Sequence, residues 1–416
     1  MEKLNTRFKI RDRKSSVRTE IFAGLTTFLT MAYVLATQPA AIIGFGPVME
    51  ITDVAGFLVS KEAILLATAL TSGIITLFMG LYANLPFALS TGMGMNFVLG
   101  GMIQAGVLSF AGAMTIVLIA GILFVVLSVC GVRELVVRMI PKNIKLGMCV
   151  IVGFLLAYLG MKDAGLIVAN PMGGFSFGDL SNPLVLLSIG TVLLMAILHA
   201  YKVKGSVLVA MVVATLVGIP LGATRIPEQL VSLPALGTLS TVLFKFDFKT
   251  ILNFAMVPLI FIAFSTDFFA SLAAFLGLGA KAKMLDDDGN LPEIQKPFLV
   301  DSVGTVVGAA LGCTTITTFA ESATGIEDGG RTGLTSVVTA ICFFITLFLA
   351  PVFLMIPSAA TGPALLFVGF GLISQFKLLE LDDFTEAFPA IFMVLITAFT
   401  ASLPIAISAG VLIHVL

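Results

Sequence analysis

Three carboxylates in this chain sit where carboxylates are expensive. Glu321, Asp267 and Asp301 each interrupt or open an otherwise apolar stretch. A charge in such surroundings is paired, protonated or used, so each is a candidate for gripping a polar solute or carrying a proton. Glu321 is the foremost. It lies beside a glycine-rich interruption, Ala323-Thr324-Gly325 and then Gly329-Gly330-Arg331-Thr332-Gly333. Its alternative reading is a neutral glutamic acid bonded to backbone. Asp267, in Phe264-Ser265-Thr266-Asp267-Phe268-Phe269, reads either as a substrate or proton residue or as an interhelical hydrogen bond. Asp301 opens a later stretch, where it either titrates or faces water. Glu20 and Glu386, at the ends of apolar stretches, read as anions at helix starts.

Other chemistry is poorly served. The two histidines, His199 and His414, are far apart and form neither H-E-x-x-H nor a convincing proton relay. The Gly329–Gly333 stretch is not a phosphate loop, so neither an enzyme nor an ATP-driven pump is indicated. Asp286-Asp287-Asp288-Gly289-Asn290 fails as a calcium loop, because the register that puts Gly289 sixth puts Met284 first and Gln295 last; it reads as a solvated turn. Cys130, Cys149, Cys313 and Cys342 have no metal-type spacing and read as small buried apolar residues. No metal and no cofactor is expected.

The elements that must hold these residues follow from composition. Of 416 residues, 58% are apolar and only 11% charged, and mean hydropathy is +1.10. A soluble globule of this size cannot hide so much apolar surface, and a disordered chain would lack it. Net charge is −1, so nucleic acid is not a partner. The long basic start and long first apolar stretch do not suit a cleaved signal. The expectation is an all-α polytopic membrane protein in the bilayer of the cell's inner or plasma membrane. About fourteen apolar segments can be placed: 21–43, 64–81, 87–105, 111–130, 144–159, 184–199, 207–221, 254–278, 300–311, 315–325, 334–354, 359–373, 387–399 and 403–415. With the N-terminus cytoplasmic, this count puts eighteen of the 23 basic residues inside. The last segment ends at Leu416 without a polar tail, so a trimmed C-terminus is expected.

The chain also repeats itself. Gly80, Phe87, Ala88 and Ser90 match Gly312, Phe319, Ala320 and Ser322 at one spacing, which makes Leu89 the counterpart of Glu321. Each match runs into glycines, Gly92-Met93-Gly94-Met95-Asn96 in the first and Gly325 to Gly333 in the second. Seven segments per repeat invert the second copy. Inverted repeats with paired broken helices are the mark of a secondary transporter, whose unwound backbone lines a cavity. Gly304, Gly308 and Gly312 instead read as a stripe for close helix packing. The expected divisions are a basic N-terminus (1–17), a first repeat (18–222), an extracellular connection (223–250) and a second repeat (251–416).

At this point the residues resemble the guanine–hypoxanthine (AzgA-like) permeases of the xanthine/uracil permease superfamily. The likeness begins at about Val17. It is carried by Arg18 to Tyr33, by Met79 to Phe87, by Gly92 to Asn96, and most by Glu321-Ser322-Ala323-Thr324-Gly325 with Gly329 to Leu334. The resemblance implies two inverted seven-segment repeats, a core domain (segments 1–4 and 8–11) sliding against a gate domain (5–7 and 12–14), and commonly a homodimer. It implies proton-coupled uptake of purine bases, each base lying between the broken third and tenth segments against the eighth. Solute-contacting positions are then Ala320, Glu321 and Ser322, Asn96 and Phe97, and Asp267, Ala270 and Ser271. Glu321, Asp267 and Asp301 are the proton-coupling candidates. One departure stands out: the family's D-x-F-D-T-x-G-T reads Asp267-Phe268-Phe269-Ala270-Ser271-Leu272-Ala273-Ala274 here, so the second acid is absent. Alternatives are a carrier or exchanger of another planar or anionic solute, or a membrane scaffold that transports nothing.

Overall fold

The computed structural model describes residues 2–44, 48–130, 142–170, 174–252, 256–286, 291–379, 381–400 and 403–415. The chain is predominantly helical and divides into two compact units, residues 1–131 with 227–354, and residues 132–226 with 355–416. Among the described residues five helices are long and apolar enough to cross a membrane, and the first, 17–43, is jointed. Positions 287–290 of the acidic turn lie outside the described residues.

The first unit opens with α1 (Glu2–Phe8), α2 (Val17–Met31) and α3 (Val34–Ile43). A short hairpin, β1 (Glu50–Thr52) with β2 (Leu58–Ser60), leads into α4 (Lys61–Phe78). After β3 (Leu89–Thr91) come α5 (Met93–Gln104) and α6 (Phe110–Val129). Local sequence sets these starts. Ser16, Ser60 and Ser109 each turn a side-chain oxygen onto the backbone N–H three residues on, satisfying a donor that the first helical turn leaves free.

The second unit holds α7 (Lys142–Asp163), the hairpin β4 (Ile167–Ala169) and β5 (Phe175–Phe177), α8 (Pro183–Ala200) and α9 (Ser206–Gly218). Asn182 caps α8, and Pro183 fits its first turn, where no N–H is needed. The chain then returns to the first unit. There it forms α10 (Leu236–Ser240), α11 (Val257–Lys281), α12 (Gln295–Leu311), β6 (Ile316–Thr318), α13 (Ser322–Glu327), α14 (Gly333–Thr346) and α15 (Ala350–Leu354). It ends in the second unit with α16 (Ser358–Ile373), α17 (Phe384–Thr400) and α18 (Leu403–Val415).

Each unit packs through small residues and aromatic rings. In the first, Phe124 of α6 meets Phe264 and Phe268 of α11 and Phe298 of α12 edge-on, with ring centres 5.6–6.0 Å apart. In the second, α7 and α16 cross on glycines: a Cβ on Gly160 would lie 2.6 Å from the Gly362 carbonyl, and one on Gly369 the same distance from that of Gly153.

Several expectations need correction here. Gly304 and Gly308 do pack closely, against Ile316, and Gly312 packs as closely against Val242 while also ending α12 in the left-handed region (φ +87°). Gly325, Gly330 and Gly333, expected to open backbone to a cavity, are close-packing sites. Gly325 lies on the Ala23 carbonyl and Thr27, and Gly333 on the Gly80 carbonyl, so that neither has room for a side chain. Cys313 is buried, whereas Cys130 is exposed at the end of α6 and Cys342 is half-buried; the side chain of Cys149 lies outside the described set.

Candidate functional site

Two helices of the first unit stop at corresponding places. α4 finishes in one wide turn, Met79–Ala83, and the left-handed Asn84 (φ 53°); α12 finishes on Gly312. Beyond each, the chain runs extended, and the two extensions pair antiparallel: Leu89 opposite Thr318, Ser90 opposite Thr317, Thr91 opposite Ile316. Gly92 N–H donates to the Thr315 carbonyl at 2.7 Å and Phe319 N–H to that of Ala88 at 3.0 Å. This ladder satisfies backbone groups that non-helical chain would otherwise leave bare in an apolar setting. Helices then restart, α5 after Gly92 and α13 after Glu321. Gly92 and Glu321 are the residues that precede the two restarting helices, while within the ladder Gly92 corresponds to Phe319, each donating its N–H to the carbonyl four residues before the other.

At the second restart, Ala320 is exposed, Glu321 half-buried and Ser322 buried. Tyr33, at the joint between α2 and α3, donates its hydroxyl to Glu321 Oε1 at 2.8 Å. Thr30, one turn earlier, reaches the Glu321 carbonyl at 3.4 Å and Thr324 Oγ1 at 3.0 Å. Ser322 Oγ accepts from Ala88 N–H at 2.9 Å. The Asn96 amide is spent within the crossing: Nδ2 donates to Thr91 Oγ1 at 3.2 Å, and Oδ1 accepts from Thr314 Oγ1. Phe97 is buried beside it in sequence, with 6% of its surface exposed.

A second polar group lies where α11, α12 and β6 meet. Asp267 Oδ2 accepts from Thr305 Oγ1 at 2.6 Å, while its Oδ1, fully buried, has no hydrogen-bond partner among the described residues. Asp301 accepts from Ser271 Oγ at 2.5 Å and from Thr318 Oγ1 at 3.3 Å, and Ser271 also meets Thr317 Oγ1 at 2.9 Å. Ala270 is half-buried on the same helix as Ser271. Among the described residues no hydrogen bond joins this group to Glu321. The structure thus collects the expected residues into two sets, Glu321 with the first segment, and Asp267, Ser271 and Asp301 behind β6.

One residue and one role escaped sequence reasoning. Tyr33 lay in plain view as one of four tyrosines, but nothing in its neighbours tied it to Glu321, 288 positions away. Glu20 lies in the first turn of α2, as expected of a helix-start anion, and its buried carboxylate also accepts from Arg331 N–H (3.0 Å), Thr332 N–H (3.2 Å) and Thr335 Oγ1 (2.6 Å), capping α14.

With this geometry in hand, comparison places the chain among known proteins. A model of the Permease family matches residues 18–412. The adenine permease AdeP of Escherichia coli is 33% identical over 404 residues, covering 97% of this chain and 87% of that protein. The guanine/hypoxanthine permease PbuO of Bacillus subtilis is 29% identical over 409 residues, covering 97% and 92%. Among solved structures, the transmembrane domain of the cyanobacterial bicarbonate transporter BicA superposes with a TM-score of 0.65 at 19% identity, covering 94% of this chain and 97% of that one. That last likeness shows the fold alone.

Proposed function

The chain belongs to the xanthine/uracil permease family and is a multi-pass membrane transporter rather than an enzyme; from this we propose that it takes up purine bases in symport with protons. The observation that carries the reading is Glu321, a half-buried carboxylate at the restart of a broken helix, beside an exposed alanine in an otherwise apolar unit. A carboxylate there accepts N–H from a purine edge and, when protonated, donates as well. The printed substrates of the relatives, adenine and guanine/hypoxanthine, suit that chemistry.

The proton is assigned to the second group. Asp267 and Asp301 are both buried, and among the described residues neither has a basic partner in hydrogen-bond contact. A buried carboxylate without a basic partner is the kind of group that carries a proton across an apolar region, and the two are the carriers in this reading. Ser271 and Thr317 connect Asp301 to β6, and β6 leads into Glu321. Alternating access then follows from movement of the first unit as a core against the second as a gate. Division of the chain at residues 131, 226 and 354 supports this, because it assigns segments 1–4 and 8–11 to one unit and the remainder to the other. Fourteen segments in two inverted repeats, a cytoplasmic N-terminus, a plasma-membrane location and a homodimer complete the proposal.

The test is uptake of radiolabelled hypoxanthine, guanine, adenine, xanthine and uracil by cells that lack their own carriers. Accumulation of at least one purine, collapsing when the proton gradient is dissipated, is the expected result. No accumulation of any of the five removes the reading.

A further inference from the structure

The joint in the first segment has a consequence for how Glu321 meets a solute. α2 stops at Met31 and α3 begins at Val34; the Ala32 N–H still closes onto Phe28 at 2.8 Å, and the Tyr33 carbonyl accepts from Ala36 and Thr37 at 3.1 and 3.0 Å. Tyr33 thus sits in a turn that is hydrogen-bonded on both sides, and only 1% of its surface is exposed. A buried ring has two side-chain torsions and no room to change either, so its hydroxyl is a fixed donor to Glu321 Oε1. Thr30 Oγ1 lies 3.4 Å from the backbone carbonyl of the same glutamate, with closer partners in the Thr27 carbonyl at 2.8 Å and Thr324 Oγ1 at 3.0 Å. The first segment therefore grips Glu321 at one carboxylate oxygen. Among the described residues no other side chain reaches Oε2.

We propose that Tyr33 is a positioning residue that makes the two oxygens of Glu321 unequal, and thereby sets which purine edge the site prefers. The inference rests on Glu321 meeting the base. With a lone pair of Oε1 already taken by the phenol, Oε2 is the strong acceptor, and a proton on the carboxyl resides on Oε2. The base then meets one acceptor when Glu321 is ionised, or one donor when it is protonated. A free carboxylate behaves otherwise: its two oxygens accept two parallel N–H bonds side by side. Guanine offers such a pair, its ring N–H next to its exocyclic amine, whereas hypoxanthine offers a single ring N–H on that edge. Tyr33 accordingly tilts the site toward single-donor edges and away from guanine.

The decisive variant is Tyr33→Phe, which keeps the ring and removes the donor. Competition of unlabelled guanine and unlabelled hypoxanthine against labelled hypoxanthine uptake gives their affinity ratio in wild type and variant. The expected result is a shift of about tenfold toward guanine, the size of one hydrogen bond to a charged acceptor gained on Oε1. Thr30→Val, which removes the hydroxyl packed against Thr324 beside Glu321 and leaves the Tyr33 bond in place, is expected to lower uptake of both purines without moving their ratio. If Tyr33→Phe reaches the membrane but carries nothing, calorimetric binding of the two purines to the purified variant supplies the same ratio. An unchanged ratio in Tyr33→Phe, by either measurement, overturns the proposal, as does an equal shift in Thr30→Val. Failure of wild type to take up any purine would instead strike the purine reading itself.

Discussion

At the scale of single residues, Glu321 and Asp267 are expected to behave differently despite equal chemistry. Glu321 has one oxygen held by Tyr33, and its backbone carbonyl accepts from Thr324 Oγ1 at 2.8 Å, so its carboxylate is oriented before any solute arrives. Removing it leaves the N–H groups of a bound base unpaired in a desolvated site, at a cost of about 1–3 kcal/mol, or roughly 5- to 150-fold in affinity. Glu321→Ala should abolish purine uptake while surface labelling still finds the protein in the membrane; normal uptake would make Glu321 a packing residue. Asp267 is instead bonded to Thr305 of α12 and shares no hydrogen bond with Glu321 among the described residues. Asp267→Asn should therefore leave purine binding nearly intact, as read by competition, while blunting accumulation driven by a proton gradient. Ala270→Asp should move preference toward guanine, since a second acceptor favours a donor-rich edge. Loss of all binding in Asp267→Asn, with the protein folded, would show that this aspartate has taken over the role of the missing acid. Glu321 was legible in the sequence because a glutamate between Ala320 and Ser322, beside glycines, has few cheap explanations. Tyr33 was not, because a tyrosine in an apolar helix is ordinary and its partner is set by folding.

At the scale of elements, the breaks depend on contacts that no local pattern contains. α14 begins at Gly333 with its first donors turned to Thr332 and to the Glu20 carboxylate of α2. Nearby, Arg13 donates to the carbonyls of Asn84 and Arg331 at 2.6 and 2.9 Å, and the Asn84 amide links Phe8 to Gly333. Phe8 and Ile10 are buried against Leu334. The N-terminal segment and α2 thus hold the end of α4 to the start of α14. Glu20→Ala strands two N–H groups and a hydroxyl in a buried place, and should cost on the order of 3 kcal/mol. Glu386→Ala, in the first turn of α17, removes a dipole interaction alone and should cost about 0.3–1 kcal/mol. Thermal unfolding of the purified protein in detergent compares them. Equal melting temperatures for the two variants would mean that Glu20 is only a helix-start anion after all.

At the scale of the whole molecule, the testable quantity is topology. The distribution of lysine and arginine fixes which loops face the cytoplasm, because basic residues are retained there during insertion. Single cysteines at Lys204, Lys283 and Lys377 should be protected from an impermeant thiol reagent in intact cells, and cysteines at Phe175 and Gln229 should react. Phe175 lies in the β4–β5 hairpin, where its ring is 55% exposed, so a probe placed there is accessible. A reversal at any of the five positions breaks the assignment of seven segments to each repeat.

The sequence by itself determined the solvent the chain folds in, most of the apolar stretches and the identity of the family. These follow from composition, from segment length and from motifs that are contiguous, such as Glu321 to Gly325. Most expected stretches became helices with ends within a few residues, as α6 shows at Phe110–Val129 against an expected 111–130. But 87–105 and 315–325 became a strand followed by a later helix, so the helices break before the glycines expected to break them and Gly94 to Asn96 lie within α5. Tertiary structure alone decided what the interruptions do. The extended residues after Asn84 and Gly312 became β3 and β6 because each supplies the backbone partner that the other lacks, and neither would be a strand alone. Gly80 and Gly333 are glycines because two main chains touch there, 253 residues apart, and a close approach of that kind leaves no trace in either neighbourhood. The separation of the acids into one set on Tyr33 and another behind β6 was settled the same way. A sequence lists which polar groups an apolar core must satisfy, and only packing determines which of them satisfy each other.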